Sequence, residues 1–99
     1  VVIVWSKLAR DDLHLIYQYI AHDSKRYATR VVQDIAEKVE VLRELPKLGR
    51  MVPEIGEESV REIGLYSYRI MYELVGETVY INGVIHQRRH FKPKDLQRE

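Results

Sequence analysis

The stretch from Tyr68 to Arg89, YRIMYELVGETVYINGVIHQRR, decides the fold. Its first half, Tyr68 to Val75, is rich in aromatic and branched residues, which suit a pleated, half-buried surface. Gly76-Glu77 interrupts it. A glycine at the first central position fits a type II′ hairpin turn, where φ is positive. The second half, Thr78 to about Gln87, alternates. Strict alternation predicts Val79, Ile81, Gly83 and Ile85 on one face, and Tyr80, Asn82, Val84 and His86 on the other. The strand runs into a cationic end, His86-Gln87-Arg88-Arg89-His90. An apolar hairpin that delivers a basic cluster is the feature around which the chain is organised.

Working outward, Val60 to Leu65 reads as a preceding strand, with Arg61 and Ile63 on one face and Val60 and Glu62 on the other. Gly64 to Ser67 reads as the turn into the hairpin. Further back, Val1 to Trp5 is a short apolar run, read as a buried strand. Ser6 suits a helix N-cap, since its hydroxyl accepts from exposed first-turn N–H groups. Helix one is predicted from about Lys7 to His22, with Leu8, Ala9, Leu13, Ile16, Tyr19 and Ile20 as its apolar face. Asp12 falls inside that arc and reads as a rim carboxylate paired with a nearby arginine. After Asp23-Ser24-Lys25, helix two is predicted from about Arg26 to Leu45, with a stripe of Ala28, Val31, Ile35, Val39, Leu42 and Leu45. The short break favours an antiparallel helical hairpin, and Pro46 stops the second helix.

Pro46 to Ser59, PKLGRMVPEIGEES, reads as a long loop, basic at Lys47 and Arg50 and acidic at Glu54, Glu57 and Glu58. Past Arg89 the pattern decays, so the tail from about residue 90 reads as frayed or ordered by a partner. The order β-α-α-β-β-β makes one α+β domain over residues 1–99. A helical hairpin covers a small antiparallel β-sheet whose other face stays partly open.

Composition narrows the function classes. The 99 residues carry a net charge of +1, so no global argument for nucleic acid follows. From His86 onward, however, five Lys or Arg stand against two acids, a local surplus that attracts anions. There is no cysteine, which removes thiolate chemistry and disulfides. No run approaches a transmembrane length, no signal peptide is visible, and the chain reads as cytoplasmic. Common nucleotide-binding, hydrolase and metalloprotease signatures are absent. His86 and His90 follow a strand, which makes a poor metal pair.

The candidates for chemistry are arginines. If Arg61 and Arg69 converge on the open sheet face with Arg88 and Arg89, they hold an anion bidentately. RNA cleavage through a 2′-hydroxyl needs a base, an acid and positive charge. Arginine supplies only the charge, and His86 or His90 could move the proton. The same arginines also suit an acidic peptide laid across the sheet.

Five motifs occur in register: Ala9-x-x-Asp12-Leu13-x-x-Ile16-x-x-Tyr19-Ile20; Leu42-x-x-Leu45-Pro46-x-x-Gly49-Arg50-x-Val52-Pro53; Val60-Arg61-Glu62; Tyr68-Arg69-Ile70-Met71-Tyr72; and Val84-Ile85-His86-Gln87-Arg88-Arg89. Together they resemble the RelE/ParE toxin superfamily of bacterial type II toxin–antitoxin modules. The resemblance implies no cofactor and a cognate antitoxin with a DNA-binding domain, often ribbon-helix-helix. Operator DNA is then reached only through that antitoxin.

The RelE-like branch cleaves mRNA on the ribosome, and for that activity Arg61, Arg69, His86, Arg88 and His90 are the candidates. The ParE-like branch poisons DNA gyrase. Phe91 stands where several RNA-cleaving relatives have tyrosine, and the opening helix and Pro-x-x-Gly-Arg loop look ParE-like. The resemblance therefore implies a gyrase inhibitor. Arg50, Arg61, Arg69, Arg88 and Arg89 are its candidate partner-binding residues. An mRNA endonuclease and an inactive antitoxin-binding member are the alternatives.

Overall fold

The computed structural model describes residues 1–89 and 92–99. Its elements are β1 (Val2–Trp5), α1 (Lys7–Ala21), α2 (Lys25–Glu40), β2 (Arg50–Met51), β3 (Val60–Leu65), β4 (Tyr68–Val75) and β5 (Thr78–His86). Short 3-10 turns cover Val41–Arg43 and Pro93–Asp95. The helices start where serines cap them. Ser6 Oγ accepts from the Ala9 N–H at 2.9 Å, and Ser24 Oγ accepts from the Tyr27 N–H at 3.1 Å.

Two predicted core residues lie outside the core. Tyr19 is 81% exposed, because it stands a quarter turn around α1 from the line through Ala9, Leu13, Ile16 and Ile20. Leu45 is 54% exposed, because α2 tightens into a 3-10 turn before reaching it and the stripe loses its phase. Ala28, Val31, Ile35, Val39 and Leu42 are buried.

The sheet order is β1-β5-β4-β3-β2. It is mixed, a correction to the antiparallel sheet expected. β2 to β5 are antiparallel, but β1 pairs with β5 in parallel, from Val2↔Thr78 to Trp5↔Ile81. Two-residue turns force β3, β4 and β5 to reverse. β1 reaches the sheet through two helices and a loop, a connection long enough for a parallel pairing. The segment read as loop also contributes β2, where Arg50 pairs with Glu62 and Met51 with Arg61.

Gly76 has φ +59° between Val75 and Thr78, as the type II′ turn requires. The turn before β4 is Tyr66-Ser67, with Gly64 inside β3. Tyr66 takes φ +55°, a left-handed conformation that bulky residues adopt at a cost. Its hydroxyl donates to the Asp34 carboxylate on α2, which holds the turn against the helix.

The alternation predicted for β5 breaks in the middle. Met71 pairs with Gly83 but Tyr72 pairs with Ile81, so Asn82 is an extra, bulged residue. The bulge shifts the phase. Val79, Ile81 and Val84 all join the core beneath the helices, while Ile85 turns to the other side. Ile63, Ile70 and Tyr72 complete the helix-side core from β3 and β4.

The opposite face is covered too. Val52, Val60, Met71, Ile85 and Leu96 form a second small core, with Ile55 packed against it. The tail, read as frayed or ordered by a partner from about residue 90, is held to the body of the domain at Asp95, Leu96, Gln97 and Arg98. The Asn82 carbonyl accepts from the Gln97 N–H at 3.1 Å, and Asn82 Nδ2 donates to the Gln97 carbonyl at 3.0 Å. The Leu8 N–H donates to Gln97 Oε1 at 2.8 Å, and Arg98 reaches Glu73 and Glu57 at 2.7 and 2.6 Å. Polar residues that look solvent-bound in sequence find their partners here on β4, β5 and α1.

Asp12 accepts from the Val84 N–H at 2.9 Å, two residues past the bulge, and the positive charge of Arg89 also acts on it, so the nearby arginine expected is present beside a backbone donor. Removing the carboxylate with Asp12→Ala orphans that donor and should cost about 2 kcal/mol in urea unfolding; Asp12→Asn, which still accepts, should recover most of it. Gly49 is constrained more tightly. A Cβ there would lie 2.5 Å from the Glu62 carbonyl and 2.7 Å from the Tyr72 hydroxyl, to which the Gly49 N–H donates. Gly49→Ala is expected to lower the unfolding free energy by about 2 kcal/mol or more.

Candidate functional site

The sheet face away from the helices carries a row of charge across three strands. Strand alternation puts Glu62 of β3, Arg69 of β4 and Arg50 of β2 on that face. Glu62 is the centre, with its side chain only 4% exposed. Its carboxylate accepts from Arg50 Nε at 2.8 Å and from Arg69 Nε at 2.7 Å. Gly64, directly across from Arg69, has no side chain to compete for this space.

Arg69 also reaches Glu54, in the loop before β3. Its two terminal nitrogens donate to the two Glu54 oxygens at 2.8 and 2.9 Å, a parallel bidentate pair. The row thus reads Arg50, Glu62, Arg69, Glu54. Pro53, Tyr68 and Gln87 help to wall the open cleft above it. The hydrogen bonds that Arg69 donates to Glu54, and then those to Glu62, outweigh burial and push the guanidinium still further toward its charged form. In return, Arg69 holds the Glu54 carboxyl below its ordinary value.

The remaining sequence candidates lie elsewhere. Arg61 does not converge with Arg69. It leaves β3 on the helix side, where Nη1 donates to the Gly49 carbonyl at 2.8 Å. The one-residue step between Arg61 and Glu62 places them on opposite faces. His86 also lies on the helix side, edge-on to Tyr68 with ring centroids 5.5 Å apart. Its Nδ1 accepts from the Arg88 N–H at 3.1 Å. The Arg88 side chain is exposed, and Arg89 pairs with Asp95 at 3.2 Å. His90 and Phe91 lie outside the described residues. Among the described residues, the candidate arginines that meet are Arg50 and Arg69, and they meet on a carboxylate.

Sequence reasoning placed Glu62 on a face with Val60 but missed it as the hub, and it missed Glu54. The available signal was an acid on the inward phase of a strand flanked by apolar residues, which demands a cationic partner.

The ParE toxin family model, described as the ParE toxin of the type II toxin–antitoxin system parDE, matches residues 3–91. The chain belongs to the ParE toxin family. It thereby falls within the RelE/ParE superfamily. Among solved structures, a chain of the chromosomal ParDE toxin–antitoxin system from P. aeruginosa is similar, with TM-score 0.72 and 25% identity over 86% of this chain and 94% of that one. A chain of the RelBE2 toxin–antitoxin complex from Mycobacterium tuberculosis shares the fold, with TM-score 0.61 and 22% identity over 86% and 95% of the two chains. No curated protein gives a significant match. Among the described residues, no helix of this ParE-family chain is long and apolar enough to cross a membrane.

The charge row predicts a pH response. The Glu54 carboxyl is lowered in the folded state, chiefly by hydrogen bonds from Arg69, relative to an ordinary value of 4.5. Its stabilisation is complete above that value and is lost as the pH falls through the lowered range. Asp12 acts in the opposite sense. Burial outweighs the Val84 N–H and raises its carboxyl, so its contribution improves as the pH falls through the raised range. In urea unfolding from neutral pH down to about pH 3, Glu54→Gln should flatten the acid loss of stability and Asp12→Asn should steepen it.

Proposed function

We propose that this ParE-family chain inhibits DNA gyrase and is held inactive by a cognate antitoxin. The observation that carries the choice of target is the engagement of Arg69. A 2′-hydroxyl nuclease needs proton transfer and positive charge focused on one phosphate. Here the Arg69 guanidinium is divided between Glu54 and Glu62, Arg61 binds the Gly49 carbonyl on the opposite face, and Nδ1 of His86 is taken by the Arg88 N–H. That distribution supports a toxin that acts by occupying its target over one that cleaves a phosphodiester. The exposed arginines Arg88 and Arg89, at the end of β5, are the proposed contact with the target.

The antitoxin supplies neutralisation, by analogy with the ParDE and RelBE2 systems. A segment of it that folds on binding would cover toxin surface. Its own DNA-binding domain would carry the pair to the operator, and the toxin acts in the cytoplasm, where gyrase works.

The deciding measurement is the order in which macromolecular synthesis fails after induction. Labelled thymidine incorporation should fall first while leucine incorporation continues. A first collapse in leucine incorporation would overturn the gyrase reading in favour of mRNA cleavage. Exchanging Arg88 and Arg89 together for alanine should reduce toxicity by about tenfold or more. The fold should hold, because the Arg89–Asp95 pair is exposed on the arginine side and worth about 1 kcal/mol or less. Circular dichroism and thymidine incorporation check the two halves of that expectation.

A further inference from the structure

The two acids on Arg69 differ in how they are held. Glu62 is fixed in β3, beneath the surface and bonded to both arginines. Glu54 comes from a loop, its side chain is 34% exposed, and it closes over Arg69 from the solvent side. The loop itself is anchored without Glu54. Val52 and Ile55 pack into the second core, and the Ile55 and Gly56 N–H groups donate to the Val52 carbonyl at 3.1 and 2.9 Å. Glu54 can therefore swing outward while its loop stays docked.

With Glu54 swung away, the Arg50 and Arg69 guanidinium groups still share the one buried Glu62 carboxylate, two positive charges beside one negative. This cluster sits at the floor of an open cleft of about 550 Å³, walled in part by Pro53 and Tyr68. Arg50 faces this cleft with a side chain 76% exposed, ready to share an incoming oxygen. The geometry already present is that of a carboxylate seated in a guanidinium fork.

We propose that Glu54 is an internal occupant of a carboxylate-binding site formed by Arg69 and Arg50 on Glu62, and that an acidic side chain of a partner protein displaces it. The internal acid makes the site selective. A stray anion must compete with a tethered carboxylate, and only a partner with further contacts along the cleft prevails. A site kept closed for about nine-tenths of the time binds an external ligand about tenfold more weakly than the open form. The inference holds whichever target the toxin has. Its readout is binding, so its failure and the failure of the gyrase reading are separate events.

The test titrates glutarate into the full chain while following the Arg69 side-chain Nε–Hε resonance. Glu54→Gln should bind glutarate about tenfold or more tightly than the parent chain, and adding Arg69→Gln to that variant should abolish the gain. Circular dichroism verifies that each variant is folded. Should Glu54→Gln unfold, Glu54→Asp provides the same comparison with a smaller gain, since it keeps the charge but is one methylene shorter. Equal glutarate affinity in parent and variant would overturn the proposal and leave Glu54 as a structural latch. Inorganic phosphate is the second arm. Tighter binding of phosphate than of glutarate at Arg69 would overturn the assignment to a carboxylate.

Discussion

One extra residue in β5 sets the geometry of everything around it. The bulge at Asn82 reverses the phase of the strand, so that Val84 returns to the helix side and Ile85 is released to the opposite face. The local break in pairing is then stitched from three directions. Ser6 Oγ donates to the Asn82 carbonyl, Asp12 caps the Val84 N–H, and Gln97 exchanges backbone and side-chain bonds with Asn82. The start of α1, its second turn and the tail are thus tied to one point on the sheet. A regular strand would offer none of these groups, because its ladder would already have used them.

The second core depends on the same reversal. Ile85 would otherwise face the helices, and the face away from them would lose an anchor for Val52 and Leu96. With the loop and tail seated there, the loop brings Glu54 over Arg69, and the tail brings Arg98 onto Glu57 and Glu73. Packing places the charges, and the charges then fix which cations remain available. This is why most of the central arginine, Arg69, is buried against acids while Arg88 and Arg89 stay exposed past the end of β5.

Much of the architecture was legible because it rests on local signals. The serine caps, the helix-two stripe from Ala28 to Leu42 and the Gly76 turn each act within a few residues and mark their elements correctly, whereas Pro46 stands beyond the 3-10 turn in which α2 has already ended. The family resemblance was legible for a related reason, since its motifs sit on those same elements. What was not legible depends on contacts distant in sequence. Gly83 is the local hint of a bulge beside Asn82, but what stabilises the bulge comes from Ser6 and Gln97, far away in sequence. Alternation alone gave Arg61 and Arg69 as neighbours across adjacent strands. Their true relation depended on register, which pairs Arg61 with Tyr72 and Arg69 with Gly64 and so sends them to opposite faces. Glu54 lay in a loop, where no periodicity exists to read.

The parallel pairing of β1 with β5 also bears on the order of folding. Val2 and its neighbours find their hydrogen-bond partners only at Thr78 to Ile81, after both helices and three intervening strands in the chain. The helical hairpin and the two-residue β-turns close over short distances and can form early; the first strand has to wait for the last. During that interval an apolar strand with unpaired backbone is exposed in the growing chain. Its sequence, Val-Ile-Val-Trp, is the kind that seeks any free edge. Late arrival of β5 therefore defines the period in which the newly made protein is most vulnerable to self-association.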